Sequence, residues 1–307
     1  MSSDLTTDLR RPTAGGSARA RRAGSRSLVG IILIIFLAFF LVPVIWLLLS
    51  GTKSAQALTN QGPFTAGTFA DLQANWNALM TFQDGAVATW MGNSVLYAGA
   101  ALIISLLVSM PAGYALAKLQ FKGRRPLLLA TLVVMLMPAT SLVLPIFLEM
   151  NVVGLVNTPL SVILPYSFFP FGVYLAYIYY STALPGEILE AATIDGCGPW
   201  GTFWRVVLPL STPVVALVGF FSFVQNWNNF FLPFVMLPRS EAYPMQVGLS
   251  QMLASTPTFN PVVGASAEVS PPELVLATLV SIAPVLLIFI VAQRYLVTGL
   301  TAGATKG

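Results

Sequence analysis

The 307-residue sequence has no histidine, one cysteine and few charges. Without histidine the commonest general base, the usual metal ligand and a frequent proton relay are gone. No Ser/His/Asp or Cys/His set can be assembled, and no metal-ligand spacing is present, so neither catalytic nor metal-binding residues are expected. Cys197 alone forms no intramolecular disulfide, and its small side chain reads as packing. No GxxxxGK[ST] phosphate loop occurs. The run Gly51-Thr52-Lys53-Ser54 echoes its end but lacks the first glycine, so the chain holds no nucleotide by that motif. Charged residues make up 8% of the chain, against about 25% in soluble domains.

What is present is apolar: 56% of residues are hydrophobic, gathered in runs long enough to cross a hydrocarbon core as helices. Six spans are expected at 28–50, 90–119, 126–149, 159–182, 208–237 and 272–297, giving an all-α membrane protein. Residues 1–27 read as a disordered tail, 28–297 as the membrane domain and 298–307 as a second tail. The first run follows arginines, as in a signal peptide, but is too long for one and lacks a cleavage site, so it reads as a retained helix. Basic residues set the orientation. Arg10, Arg11, Arg19, Arg21, Arg22, Arg26, Lys118, Lys122, Arg124, Arg125, Arg205, Arg294 and Lys306 fall on one side, and only Lys53 and Arg239 on the other. The positive-inside rule then places both termini in the cytoplasm of a multi-pass protein of the cytoplasmic membrane, which the even number of spans also requires. No nucleic-acid partner is expected.

The span interiors are nearly free of ionisable residues, with Glu149, Glu273, Lys118 and Arg294 at span ends. Ion-coupled carriers keep such groups at mid-membrane, so this pattern disfavours an ion-driven carrier and suits a neutral solute. The fifth span instead carries Gln225-Asn226-Trp227-Asn228-Asn229. Amides offer donors and acceptors without charge, and aromatic faces stack on sugar rings. Helical periodicity puts Gln225, Asn228 and Asn229 on roughly one face, with Asn226 off it. These amides either line a solute pathway or glue helices together. On the fourth span Phe171 and Tyr174 either line the same pathway or pack the core, and Tyr177, Tyr179 and Tyr180 read as an interfacial belt.

A polar, glycine-bearing interruption between two apolar runs, 190–213, reads EAATIDGCGPWGTFWRVVLPLSTP. Its local pattern predicts a short helix entered at Pro185, a turn at Gly196 and Gly198-Pro199, and a second helix feeding the fifth span. Glu187 and Glu190 share a face, and Ala191 and Ala192 permit close approach. The segment is either a docking knob or a solvated interfacial loop.

Glu190-Ala191-Ala192, Asp195-Gly196, Val206, Leu208-Pro209 and Pro213 resemble the EAA loop of the permease subunits of bacterial ABC importers. Further likeness lies in Val42–Trp46 through Lys53, Asn93-Ser94, Gly154–Thr158, Trp227-Asn228 and the tail from Gln293, similar to the second permease of maltose-type carbohydrate importers. Asn229 stands where many relatives carry an acid. The resemblance implies a type I ABC importer transmembrane domain of six helices, in which the 185–207 loop is a coupling helix docked on an ATPase. Glu190, Ala191, Ala192, Asp195 and Gly196 form its contact surface, with Glu187, Arg205 and Pro209 also assigned to coupling. It implies these partners: a homologous second permease, two cytoplasmic ATPases that hold ATP–Mg, an extracytoplasmic solute-binding lipoprotein, and the bilayer. This chain would bind no cofactor and be no enzyme. The solute expected is a di- or oligosaccharide moved inward by alternating access. The rivals are a polyol or glycerol-phosphate-type solute, an ion-coupled carrier, and a scaffold protein.

Overall fold

The computed structural model describes residues 15–257, 259–260, 262 and 269–301, so most of the two expected tails, 1–14 and 302–307, lies outside the described residues. No strand occurs among the described residues. The chain runs through α1 (Gly15–Ser50), α2 (Ala55–Asn60), α3 (Phe69–Thr81), α4 (Ala86–Lys118) and α5 (Arg124–Met135). It continues through α6 (Val143–Val152), α7 (Leu160–Ser167), α8 (Pro170–Thr182), α9 (Gly186–Ile194) and α10 (Pro199–Thr202). The remaining helices are α11 (Leu208–Leu210), α12 (Thr212–Trp227), α13 (Phe231–Met236), α14 (Met245–Ala254) and α15 (Pro271–Thr301). α1 begins inside the segment expected as tail, and α15 runs past the expected end of the last span.

Four segments are long and apolar enough to cross a membrane: 28–50, 86–118, 160–182 and 271–295. Two bent pairs complete six, 124–135 with 139–152 and 199–210 with 212–227. α4 is the central post, packed against α7, α8 and α12, while α12 also packs on α15. Among the described residues α1 packs chiefly along α15, and its apolar circumference is what a helix facing lipid or another chain requires.

The expected third span is not straight. It bends by 102°. α5 stops at Met135, and Pro138 takes up an extended conformation before a short 3-10 turn, Ala139–Leu142. Proline disfavours helix at the residue before it and donates no backbone hydrogen bond, which ends α5 there. The expected fifth span is also shorter. Its helix starts at Thr212, ends at Trp227, breaks over Asn228–Phe230, and resumes as α13.

The end of the bundle opposite α9 is knotted by polar side chains of α4 one turn apart. Trp90 Nε1 donates to Ser240 O at 2.9 Å, Asn93 Nδ2 to Glu241 O at 2.8 Å, and Tyr97 Oη to Ala242 O at 2.9 Å, while Ser94 Oγ accepts from Met245 N at 2.7 Å. Lys53, fully buried, donates from Nζ to Gly62 O at 2.8 Å and so fastens the loop after α2. Gly248 of α14 lies flat on the Trp90 indole, where any Cβ would enter the ring. Trp90 is fully buried and its nitrogen is bonded, so it cannot yield. Gly248→Ala is therefore expected to cost about 1–3 kcal/mol by overpacking, read as a lowered thermal midpoint of the purified protein in detergent. An unchanged midpoint would contradict that contact.

Candidate functional site

Two regions collect the residues singled out by sequence. The first is a cavity of about 360 Å³, in the size range of small-molecule sites. It is bounded by the 134–146 stretch of α5 and α6, by Pro165–Phe171 at the α7–α8 break, and by Gln225, Asn226, Asn229 and Leu232. No ionisable side chain except the Tyr166 phenol lines it.

Two helix breaks build this cavity, and prolines cause both. Pro170 opens α8 and has no N–H for the carbonyl of Tyr166, four residues back. Asn226 supplies the missing donor, its Nδ2 lying 3.4 Å from Tyr166 O. Pro233 in α13 likewise has no N–H for the carbonyl of Asn229, and Tyr166 Oη donates to that oxygen at 3.2 Å. The α7–α8 break also frees Ser167 O, which accepts from Ser105 Oγ at 3.0 Å. In hydrocarbon each freed carbonyl needs such a partner. Asn226 and Tyr166 thus brace the two broken helices against each other and hold the cavity open between them.

The other predicted pathway residues divide. Gln225 is exposed, lines the cavity and makes no hydrogen bond among the described residues. Asn229 lines it too, and its Oδ1 accepts weakly from Leu232 N at 3.4 Å. Phe171 lies in the wall, edge-on to Phe169 and Phe221. Asn228 turns away and bonds Val224 O at 2.9 Å. The face expected does not form: Asn226, bonded to Tyr166 O, enters the wall, and Asn228, still in helical register through its N–H to Val224 O, leaves it. Trp227 is buried, stacked on Phe223 and donating to Ser281 O at 3.0 Å, so it joins α12 to α15. Tyr174 lies beyond the cavity, stacked on Tyr177. The walls from α5 and α6 were not foreseen, since their Val and Met residues carry no polar signal in the sequence.

The second region is the 185–213 segment. α9 ends in a Schellman motif: Cys197 N donates to Ala192 O at 2.9 Å and Gly196 N to Thr193 O at 3.0 Å, with Gly196 at φ +80°. Glu187, Glu190, Ala191, Asp195, Gly196, Arg205 and Pro209 are all exposed. Ala192 is instead buried, facing the chain's own interior. Two apolar side chains that the sequence reading passed over are exposed beside the acids, Ile194 at 86% and Trp200 at 65%. Their signal was an isoleucine and a tryptophan in a polar loop.

Phe203–Val207 forms a π-helical turn, with Leu208 N bonded to Phe203 O. Pro209 cannot donate to Arg205 O, and the turn widens by one residue. Pro213 likewise leaves Pro209 O free, and Thr212 Oγ1 donates to it at 3.1 Å. An 81° bend then leads into α12. The segment is anchored inward by Phe203, 1% exposed, with its ring centroid 5.3 Å from that of Tyr114 on α4. Tyr179 Oη of α8 donates to Leu210 O at 3.2 Å. A push on α9–α11 thus reaches α4, α8 and α12 through direct contacts.

The family model described as binding-protein-dependent transport system inner membrane component matches residues 109–301. The arabinooligosaccharides transport system permease protein AraQ of Halalkalibacterium halodurans is 33% identical over 91% of this chain and 95% of its own length. The diacetylchitobiose uptake system permease protein NgcG of Streptomyces coelicolor is 30% identical over 94% of this chain and 93% of its own. A crystal structure of a bacterial ABC transporter involved in import of the acidic polysaccharide alginate superposes with a TM-score of 0.76 at 26% identity, over 93% of this chain and 100% of that one.

Proposed function

The chain belongs to the binding-protein-dependent transport system inner membrane components, as a permease of the carbohydrate ABC importer kind, and we propose that it carries a di- or oligosaccharide inward by ATP-driven alternating access. The observation that carries this reading is the cavity lining: the amides Gln225, Asn226 and Asn229 and the rings of Tyr166, Phe168, Phe169 and Phe171 set among aliphatic side chains, with no carboxylate or cation among its walls. Such a lining bonds hydroxyls and stacks on sugar faces. It offers nothing to balance a phosphate, which weighs against a glycerol-phosphate-type solute, and no intramembrane charge to couple to an ion gradient.

In this reading both termini and α9 lie in the cytoplasm. α9 with Ile194 and Trp200 docks on one of two ATPase subunits, which hold ATP and Mg²⁺. A homologous second permease supplies the facing half of the pathway, and an extracytoplasmic lipoprotein delivers the sugar. ATP-dependent closure moves α9, and α4, α8 and α12 follow as bodies braced at Phe203 and Tyr179.

The test is uptake by proteoliposomes holding the chain with its genomically adjacent permease, ATPases and binding protein. Labelled neutral di- and trisaccharides are expected to enter only with internal ATP and the binding protein, and ionophores that collapse ion gradients should not slow them. Uptake driven by an ion gradient without ATP overturns the reading. Uptake of a polyol in preference to every saccharide tried overturns the solute class.

A further inference from the structure

A second cavity, of about 770 Å³, opens where α4 hands over to α5, and nothing above gives it a role. Its walls include Gln120, Phe121, Arg124, Arg125 and Tyr177. It shares two elements with the first cavity. α5 gives Val134 to the first and Arg125 to the second, and α8 gives Phe171 to the first and Tyr177 to the second. Phe171, Tyr174 and Tyr177 are three residues apart, so each is a neighbour of the next on α8 while the outer two lie about 120° apart around it. The six-residue separation of the outer pair is about 9 Å along the axis, roughly the length of one disaccharide unit. Tyr174, between them, lines neither cavity, is half-buried, and is stacked on Tyr177 with centroids 6.3 Å apart and planes 26° apart. α5 and α8 pack together along this seam.

We propose that the two cavities are successive stations of one solute path, with Tyr174 as the barrier between them and the second cavity as the release site on the α9 side. The proposal rests on the import reading above. The chemistry of the second station suits a hydroxyl-rich solute that is about to leave. Gln120 and Arg125 present donors, and neither side chain makes a hydrogen bond among the described residues. Arg124 is tied to Leu116 O at 2.6 Å and Ala117 O at 3.0 Å, which fixes the rim. The Tyr177 ring offers a stacking face beside them. The stacked tyrosine pair separates the stations without any charged group, so a neutral sugar meets only aromatic faces as it passes.

Single cysteines test this in the assembled transporter, with the native thiol removed by Cys197→Ser. A membrane-impermeant thiol reagent is added from the α9 side to Phe171→Cys and to Tyr177→Cys. Tyr177→Cys is expected to react readily. Phe171→Cys is expected to react about tenfold more slowly or less, as a barrier of about 1.4 kcal/mol gives. Adding Tyr174→Ala should raise the Phe171→Cys rate to near that of Tyr177→Cys, and adding Tyr174→Phe should not. Equal rates at the two positions overturn the barrier, as does a Phe171→Cys rate indifferent to Tyr174→Ala. If Arg125→Gln changes only the anionic lipid that copurifies and leaves uptake intact, the second cavity is a headgroup pocket and the release station is overturned. Failure of ATP to drive uptake while the rate contrast persists would refute the import mechanism and leave the barrier standing.

Discussion

Gly196→Pro is expected to abolish uptake while leaving the chain inserted in the membrane. Gly196 closes α9 at φ +80°, and its N–H bonds Thr193 O. Proline holds φ near −65° and has no N–H, so the substitution removes that bond and the left-handed turn together. The cost is about 3 kcal/mol or more, and it falls on a surface turn where no Cβ meets a neighbour. The chain relieves it by unwinding the last turn of α9 and re-aiming Ile194, Asp195 and Trp200. If those side chains are the docking surface, the loss of about 3 kcal/mol from the docked state lowers coupled uptake by about 100-fold. Uptake by proteoliposomes, measured beside copurification of the ATPases, reads both effects. Gly196→Ala keeps the N–H and pays only the left-handed strain, about 1–2 kcal/mol, so it should fall between the parent and the proline. Glu190→Lys changes charge without touching the backbone, so a comparable loss there separates surface from geometry. Normal uptake in Gly196→Pro would show that α9 does not carry the ATPase's motion.

The same segment shows how far sequence carries. Its glycine turn, its two short helices and its exposed acids were legible, because glycine and proline constrain the backbone locally. The direction of Ala192 was not, since an alanine beside exposed neighbours gives no sign of which way its face turns until α9 is docked on the chain. The spans were legible from hydropathy, but their interior geometry was not. Proline alone does not announce a break: Pro138, Pro170, Pro209 and Pro233 coincide with one, while Pro43, Pro111 and Pro284 lie inside helices that run on. A sequence does not say which side chain will take the freed carbonyl. Asn226, Tyr166, Ser105 and Thr212 do so here, three of them from other helices. That pairing sets how α12 is turned against α7, so Asn226 and Asn228 exchange the places expected of them.

The exchange has a measurable consequence. Gln225→Ala with Asn229→Ala is expected to reduce sugar uptake strongly without weakening the fold. Gln225 makes no hydrogen bond among the described residues, and Asn229 makes only one long contact with its side-chain oxygen. Two neutral hydrogen bonds to a hydroxylated solute contribute about 0.5–1.5 kcal/mol each, so their loss lowers uptake by about 5- to 150-fold. Asn226→Ala should behave differently. It leaves Tyr166 O without its donor in a buried site, which costs about 1–3 kcal/mol, so the thermal midpoint falls along with uptake. Asn228→Ala removes only a local bond to Val224 O on an exposed face, and uptake should remain within about twofold of the parent. The contrast rests on the rotation of α12, which turns Asn226 toward Tyr166 and Asn228 away. If α12 turned about its axis in the working transporter, Asn228 would join Gln225 at the cavity and its removal would be as damaging. Transport rates of the three variants, each paired with a melting curve, decide between a cavity lined by Asn226 and Asn229 and one lined by Asn228.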